Sequence, residues 1–168
     1  MKILTYPDSV LRKQAEPIEE IDNELQRLID AMIETMYDAP GIGLAANQVG
    51  VLKRVIVFEG FNVEGEQNPV ALINPEFVLK EGKISSEEAC LSVIDCAADV
   101  SRASYVKVKG LDRNGNAVEI EAEDLKAICL QHEVDHLDGV LFIDHISSLK
   151  RSLYKRKLKK MLKEAEGK

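Results

Sequence analysis

The order of apolar and polar positions predicts a helix near the start of the chain and a set of strands after it. Over residues 22–37 apolar side chains recur every three or four positions, which is one face of an α-helix, and Pro40-Gly41 ends the pattern. Shorter apolar segments of strand character follow at 54–58, 70–73, 77–80 and 105–111. The polar run 112–116 is typical of a hairpin turn, and residues 117–122 alternate as a partner strand would.

Two further helices are predicted in the last third of the chain. Asp124 can cap a helix that runs to about Leu137, and Gly139 lies just past its end, where helices often stop. A last helix is expected over residues 147–164. Strands joined as hairpins, together with separate helices, predict an α+β domain and not a βαβ repeat.

Length and composition fit a single folded domain over residues 1–168. Apolar residues make up 45% and charged residues 30% of the chain, which argues against disorder. The apolar runs are short and the first residues lack the core of a signal peptide, so we expect a cytoplasmic protein without a membrane partner. Three cysteines without a C-x-x-C pair predict free thiols, any of which can serve as a ligand.

Charge is distributed unevenly along the chain. The net charge is −7, yet residues 150–168 hold nine basic and two acidic side chains, whereas the rest of the chain holds 13 basic and 27 acidic ones. A basic last helix favours contact with an anionic partner, and a solvated helix face is an equally open alternative. No aromatic set accompanies the lysines, which argues against sequence-specific RNA reading, and nothing in the pattern predicts DNA binding.

The strongest chemical signal is the segment Gln131–Gly139, which holds H-E-x-x-H inside a predicted helix. Residues four apart project from the same helix face, so His132 and His136 can bind one metal ion. Glu133 lies beside them, where it can accept a proton from water without being a ligand. Two buried histidines side by side are costly unless something pairs with them, so we expect a metal site.

A third ligand must come from elsewhere, because a catalytic site of this kind keeps its fourth position for water. Downstream, Asp138 and Asp144 are candidates by residue type, while His145 stands apart from the helix face and is expected to be structural or exposed. The downstream H-x-x-G-x-x-H extension of one peptidase class is absent. Upstream, Cys90 lies in a segment that can form a strand edge, and a thiolate suits a late divalent transition metal, with zinc as the first expectation.

Three segments together resemble the peptide deformylase family: Gly41–Gln48 (GIGLAANQ), Glu88–Ser92 (EACLS) and Gln131–Gly139 (QHEVDHLDG). The resemblance covers nearly the whole chain. It implies antiparallel β-sheets packed around a central H-E-x-x-H helix, with an N-terminal and a C-terminal helix. It also implies metal-dependent hydrolysis of the formyl group from the N-terminal formyl-methionine of newly made polypeptides, with release of formate.

The resemblance also implies roles for individual residues. The metal ligands would be Cys90, His132 and His136. The metal would be Fe²⁺, with Zn²⁺, Ni²⁺ or Co²⁺ as alternatives. Glu133 would act as general base and acid, while the Gln48 side chain and the Leu91 backbone N–H would bind the formyl oxygen.

Substrate-binding and supporting residues follow from the same resemblance. The residues that would bind the methionyl substrate are Ile42, Gly43, Ala89, Ile128 and Cys129. Plain core packing is the alternative role for the apolar members of this set. Glu88 would pair with Arg102 and support the metal ligands without taking part in catalysis. The implied partners are N-formyl-methionyl nascent peptides, with the basic last helix as a candidate ribosome contact.

The chain departs from the family pattern in two places. The family's second motif reads E-G-C-L-S, and here Ala89 replaces the glycine, which costs about 1 kcal/mol if that position requires a positive φ. Residues 93–99 lack the proline and the arginine that the family commonly has there, so substrate preferences beyond methionine are left open.

Two other functions stand as alternatives. One is an H-E-x-x-H metallopeptidase, and the other is a catalytically weak relative that binds the ribosome. The missing downstream ligand and the motifs around Gln48 and Cys90 favour the deformylase.

Overall fold

The computed structural model describes residues 1–60 and 65–167. Within them the helices are α1 (Asn23–Asp38), α2 (Asp124–Leu137) and α3 (Ser148–Glu166). The strands are β1 (Gly43–Ala45), β2 (Val55–Glu59), β3 (Pro69–Glu81), β4 (Ile84–Cys90), β5 (Val93–Arg102), β6 (Tyr105–Leu111) and β7 (Ala117–Glu123). Short 3-10 helices occur at Ser9–Arg12, Ala46–Val49 and Phe142–His145. Residues 61–64 and 168, which the expected 1–168 domain includes, lie outside the described residues.

Two antiparallel sheets accompany the helices. Five strands form one sheet in the order β1-β2-β3-β6-β7, and β4 pairs with β5 in a separate hairpin. The helix α2, which carries H-E-x-x-H, packs against β1, β2 and β7. The predicted α+β class, with sheets around this helix, is therefore confirmed.

The five-stranded sheet lies between α1 and α2. Successive side chains of a strand point to opposite faces, and β2 uses both faces. Ile56 packs in the core that includes Leu130 of α2, whereas Val57 packs in the core that includes Ile29 of α1. Because α2 is covered by the sheet, its polar side chains Gln131, His132, Glu133 and His136 are buried.

The helix ends agree with the sequence in two cases and differ in one. Asp22 caps α1, with its Oδ1 accepting from the Leu25 N–H at 2.9 Å. Gly139 follows α2 with φ 74°, and an added Cβ would lie 2.5 Å from the Arg12 carbonyl oxygen, so only glycine fits there. The prediction that Asp124 caps α2 is wrong, because Asp124 is the first helical residue and Glu123 occupies the cap position without a side-chain hydrogen bond.

The segments 70–73 and 77–80, predicted as separate strands, belong to the single strand β3. Its pairing with β6 shifts register between Ile73 and Glu76, and Asn74 there has φ 52°. Pro75, which lacks an N–H and is tolerated only at such irregularities, interrupts the apolar pattern in the sequence.

The β4–β5 hairpin is the largest element that the sequence pattern did not predict as a whole. Its outer face consists of exposed small or acidic residues: Ser85, Glu87, Ala89, Ala97, Asp99 and Ser101. With so few apolar side chains, the alternation that normally indicates a strand is weak. The hairpin includes residues 93–99, the segment that departs from the family pattern.

The last helix contacts the body through few side chains. Tyr154 and Leu158 of α3 are buried, whereas Leu149 and Leu153 are more than half exposed. The apolar side of the helix is therefore only partly covered. None of the helices in the described residues has the length and apolar composition needed to cross a bilayer.

Candidate active site

Cys90, His132 and His136 bring three metal-ligating atoms together. Cys90 ends β4, and the two histidines lie one turn apart on α2. The Cys90 Sγ is 3.3 Å from the His136 Nε2, which is 3.2 Å from the His132 Nε2. All three atoms lie within 4.8 Å of one another. This is the one such cluster in the part of the chain that the structure describes.

The donor set fits a divalent transition metal. Three ligands at about 2.0–2.3 Å from a common ion lie about 3–4 Å apart. The His136 Nε2 lies at such distances from both the Cys90 Sγ and the His132 Nε2. Burial lowers the pKa of His136 well below its ordinary value, and the neighbouring charges of His132 and Arg102 lower it further, so His136 is neutral and can donate a lone pair. A thiolate with two imidazoles suits zinc, iron, nickel or cobalt.

His132 gives a second indication that a cation belongs here. Burial alone would lower the pKa of His132, but the hydrogen bonds with Cys90 and Glu88 and the charge of Glu133 outweigh burial and raise it to about 10. Without an ion, these contacts hold a proton on His132. Because a metal requires the neutral imidazole, a bound cation would take over the role of that proton.

The Cys90 sulfur is surrounded by hydrogen-bond donors. The Ser92 N–H lies 3.4 Å from the Sγ, and the Gln48 Nε2 lies 3.7 Å from it. Leu91 and Ser92 form the turn between β4 and β5, so the Leu91 amide lies outside the strand pairing and next to the metal ligands.

Glu133 is buried beside the ligands with one oxygen unpaired. It is 5% exposed, and its Oε2 has no hydrogen-bond partner among the described residues. Burial, reinforced by the charge of Glu88, raises the pKa of Glu133 to about 7, although His132 and Arg102 act in the opposite direction. A carboxyl group with a pKa near neutrality can both accept and return a proton at physiological pH.

Gln48 is held in one orientation by its neighbours. Its Oε1 accepts from the Ala45 N–H at 3.0 Å, and its Nε2 donates to the Ser92 Oγ at 3.1 Å. The amide N–H₂ therefore points toward Cys90 and the metal cluster. Ser92 was not singled out from the sequence, although it lies inside a quoted motif; its contact with Gln48 becomes visible only in three dimensions.

A cavity of about 420 Å³ opens beside these groups. It lies between β1 and β4, each of which pairs with only one strand among the described residues. The expected substrate-binding residues line it: Ile42, Gly43, Ala89, Ile128 and Cys129. An added Cβ on Gly43 would lie 2.8 Å from both the Cys129 Sγ and the Glu133 Cγ, so glycine is required for this close approach.

Two further residues border the cavity. Leu125, near the start of α2, is 53% exposed and lines it. Ala89 does not have a positive φ, so the replacement of glycine introduces no backbone strain. Its methyl group is exposed beside the cavity.

Cys129 is a cavity wall and not a metal ligand. Its Sγ donates to the Ile42 carbonyl oxygen at 3.6 Å. Burial raises the pKa of Cys129 well above its ordinary value, and the charges of Glu133 and Glu88 add to the effect. The side chain is therefore a neutral thiol with an apolar surface.

Glu88 and Arg102 form a buried pair behind His132. The Arg102 Nε and Nη2 donate to the two Glu88 oxygens, each at 2.9 Å, and the Glu88 Oε1 lies 2.9 Å from the His132 Nδ1. Burial alone would raise the pKa of Glu88, but the bonds from Arg102 and His132 lower it to about 2. The carboxylate therefore holds a proton on Nδ1 and leaves Nε2 for a ligand bond.

Asp135 and His145 extend this pair to the surface, and neither was predicted to take part in the site. The Arg102 Nη1 donates to the Asp135 Oδ2 at 2.6 Å, and the His145 Nε2 lies 2.9 Å from the same oxygen. His145 is partly exposed, as expected, but it is not isolated. Asp135 lies next to His136 in the H-E-x-x-H motif, which was the only available signal.

Comparisons with known proteins identify the family of the chain. The family model described as polypeptide deformylase matches residues 1–152. The chain is 57% identical over 159 residues to a peptide deformylase of Thermodesulfovibrio yellowstonii, covering 95% of this chain and 96% of that one. It is 49% identical to one from Alkalilimnicola ehrlichii, covering 98% and 92%. The crystal structure of a peptide deformylase from Legionella pneumophila superposes with a TM-score of 0.90 at 47% identity, covering 99% and 98% of the two chains.

Proposed function

The chain belongs to the peptide deformylase family, and we propose that its catalytic metal is held by Cys90, His132 and His136. As a member of this family it is a metal-dependent hydrolase that removes the N-formyl group from newly made polypeptides. One observation carries the proposed site. The ligand atoms of Cys90, His132 and His136 cluster beside a cavity that is also lined by Glu133, one oxygen of which is buried and unpaired among the described residues.

Fe²⁺ is the proposed ion, with Zn²⁺, Ni²⁺ and Co²⁺ able to occupy the same ligands. One thiolate and two neutral imidazoles select late divalent transition metals and do not choose among them. The choice of iron comes from the family resemblance. When bound, the ion supplies a water of lowered pKa and polarises a carbonyl oxygen.

Glu133 is the proposed general base and acid. Its unpaired Oε2 and its pKa of about 7 suit it to take a proton from the attacking water. The same group then returns the proton to the departing amine, so that formate and a free N-terminus leave the site. The burial that raises the pKa also keeps bulk water from competing for the carboxylate.

Gln48 and Leu91 are the proposed donors to the formyl oxygen. Charge develops on that oxygen during attack, and fixed N–H groups stabilise it without reorganising. The Gln48 Nε2 is aimed by Ala45 and Ser92, and the Leu91 amide is freed from strand pairing by the turn. Both lie beside the proposed metal ligand Cys90.

The methionine side chain is proposed to enter the apolar part of the cavity. The residues assigned to bind the substrate are Ile42, Gly43, Ala89, Ile128 and Cys129. The neutral Cys129 thiol and the two isoleucines offer an unbranched thioether a surface of similar polarity. Glu88 and Arg102 are proposed to support His132 without touching substrate.

The experiment that tests this assignment compares the wild-type protein with Glu133→Gln. Formate release from formyl-Met-Ala-Ser is measured beside metal content after anaerobic purification. We expect Glu133→Gln to keep its metal and to lose at least about a hundredfold in kcat. A variant with near wild-type turnover would contradict the role of Glu133, and internal cleavage of an unformylated peptide would favour a peptidase.

The basic helix α3 is the proposed contact with the ribosome. Its lysines and arginines are mostly exposed, and neutralised phosphates release counterions on binding. Residues 1–168 are proposed to act as one catalytic domain that binds nascent chains at the ribosome. A cytoplasmic place of action belongs to the same proposal, because the substrate is a newly made polypeptide.

A further inference from the structure

A continuous line of polar contacts leads from His132 to the partly exposed ring of His145. We propose that His145 is a positioning residue of the metal centre: it fixes Asp135, which fixes Arg102, which holds Glu88 against His132. This inference rests on the proposed function, because it takes His132 to be a metal ligand.

The first step depends on the rigidity of Arg102. Its guanidinium is planar, so its donors cannot move independently. Nε and Nη2 bind the two oxygens of Glu88, and Nη1 binds the Asp135 Oδ2 at 2.6 Å. A displacement of Asp135 therefore tilts the whole guanidinium group of Arg102 and changes its hydrogen bonds with Glu88.

The second step concerns what holds Asp135 in place. Its Oδ2 receives both Arg102 and the His145 Nε2, the latter at 2.9 Å. The Arg102 side chain is 5% exposed, whereas that of Asp135 is 25% exposed, so water reaches the carboxylate but not the guanidinium. A carboxylate only accepts hydrogen bonds, so the His145 Nε2 donates. The His145 ring therefore lies against Asp135 on the solvent-exposed side of the Arg102–Asp135 pair.

The third step connects this line to the metal ligand. The Glu88 carboxylate keeps the His132 Nδ1 protonated, which leaves Nε2 with a lone pair 3.2 Å from the His136 Nε2. Loss of a direct partner of a ligating histidine typically costs about 10- to 100-fold in metal affinity. Because His145 acts on His132 through three intervening side chains, those of Asp135, Arg102 and Glu88, we expect about a 3- to 10-fold effect.

The test measures Co²⁺ loss from Co²⁺-loaded enzyme to an excess of chelator, together with kcat and KM. The variants are His145→Ala, which removes the donor, and His145→Gln, whose amide can donate to Asp135. Leu158→Ala is the matched control. It removes a buried side chain from the core around the 3-10 helix Phe142–His145, which carries His145, and it leaves the contacts from His145 to His132 in place. Thermal unfolding is recorded for all of them.

We expect His145→Ala to lose Co²⁺ about 3- to 10-fold faster and to lower kcat with KM unchanged, and His145→Gln to recover most of the difference. Leu158→Ala should unfold at a lower temperature yet release metal at the wild-type rate. Wild-type release from His145→Ala, or equally fast release from Leu158→Ala, would overturn the positioning role. Metal release is measured without substrate, so its result is independent of the formate assay. Absence of formate release by the wild-type protein would contradict the proposed function and not the positioning role of His145.

Discussion

Gly43 and Glu133 approach so closely that a methyl group on Gly43 would lie 2.8 Å from the Glu133 Cγ and 3.0 Å from its Oε1. The strand β1 and the helix α2 can meet at this distance only because the strand has no side chain there. The Glu133 carboxylate is thus positioned by a glycine of a different motif. The contact joins the segment Gly41–Gln48 to the segment Gln131–Gly139.

Gly43→Ala should displace the Glu133 carboxylate. A misplacement of about 1 Å typically costs about a hundredfold in rate, so we expect a kcat loss of that order with metal content unchanged. The matched control is Gly41→Ala, whose Cβ would meet the flexible end of Leu91 at 3.0 Å and should cost much less. Equal kcat losses in the two variants would show that the contact with Glu133 is unimportant.

Gln48→Glu should separate the two functions of the Gln48 amide. The new carboxylate can still accept from the Ala45 N–H, but it cannot donate to the substrate oxygen. We expect kcat to fall by about 10²–10³-fold. Steady-state kinetics with a formylated tripeptide measures this loss, and a kcat within a fewfold of wild type would remove Gln48 from the catalytic donors.

Arg102→Met should be strongly destabilising. It leaves the carboxylates of Glu88 and Asp135 without their shared cation in a site where the Glu88 side chain is 5% exposed. Removal of one partner from a buried ion pair typically costs about 3–5 kcal/mol. The control Arg113→Met breaks a pair with Asp30 whose side chains are 35% and 67% exposed, and it should cost about 0–1 kcal/mol. Urea unfolding compares the two, and similar losses would contradict the account of the buried pair.

Asp144→Asn should change the pH dependence of stability. Burial alone would raise the pKa of Asp144, but the hydrogen bonds from Arg12 and the Leu141 N–H outweigh it and lower the pKa. A group whose folded pKa is lowered contributes stability above its unfolded pKa, and that contribution is lost as the pH falls through the folded value. The stability difference between wild type and Asp144→Asn should therefore be full at neutral pH and shrink below about pH 4. Unfolding free energies across this range test it; a difference independent of pH would refute the ionic origin.

Replacement of Lys155, Lys159 and Lys163 by glutamine should weaken binding to ribosomes. These lysines are exposed and lie four apart on one side of α3. Co-sedimentation with purified ribosomes at low and raised salt measures the effect, and wild-type binding should weaken steeply with salt. A charge-matched control replaces three exposed lysines elsewhere: Lys2, Lys53 and Lys83. Equal binding by both triple variants would favour a merely solvated helix face.

The sequence predicted the parts of the fold whose pattern is strong. The apolar face of α1 and the strands β2, β6 and β7 could be predicted directly, because burial of one face imposes a period on the residues. The hairpin β4–β5 could not be delimited, since its outer face carries small and acidic side chains. The irregular centre of β3 was divided by Pro75 for a similar local reason.

The site was partly predictable for a different reason. His132 and His136 lie four apart on one helix, so their convergence follows from helix geometry alone. The position of Cys90 next to them depends on how β4 meets α2, and only the family resemblance indicated it. The contacts of Ser92 with Gln48 and of His145 with Asp135 join residues distant in sequence, which no local pattern encodes.

The most direct test of the central claim is the metal content of wild type and Cys90→Ala after anaerobic purification, measured with formate release on the same samples. The account predicts about one metal ion per wild-type chain, and a Cys90→Ala protein that has lost most of its metal and its activity together. A Cys90→Ala protein that keeps a full complement of metal would contradict the claim that Cys90, His132 and His136 hold the catalytic ion.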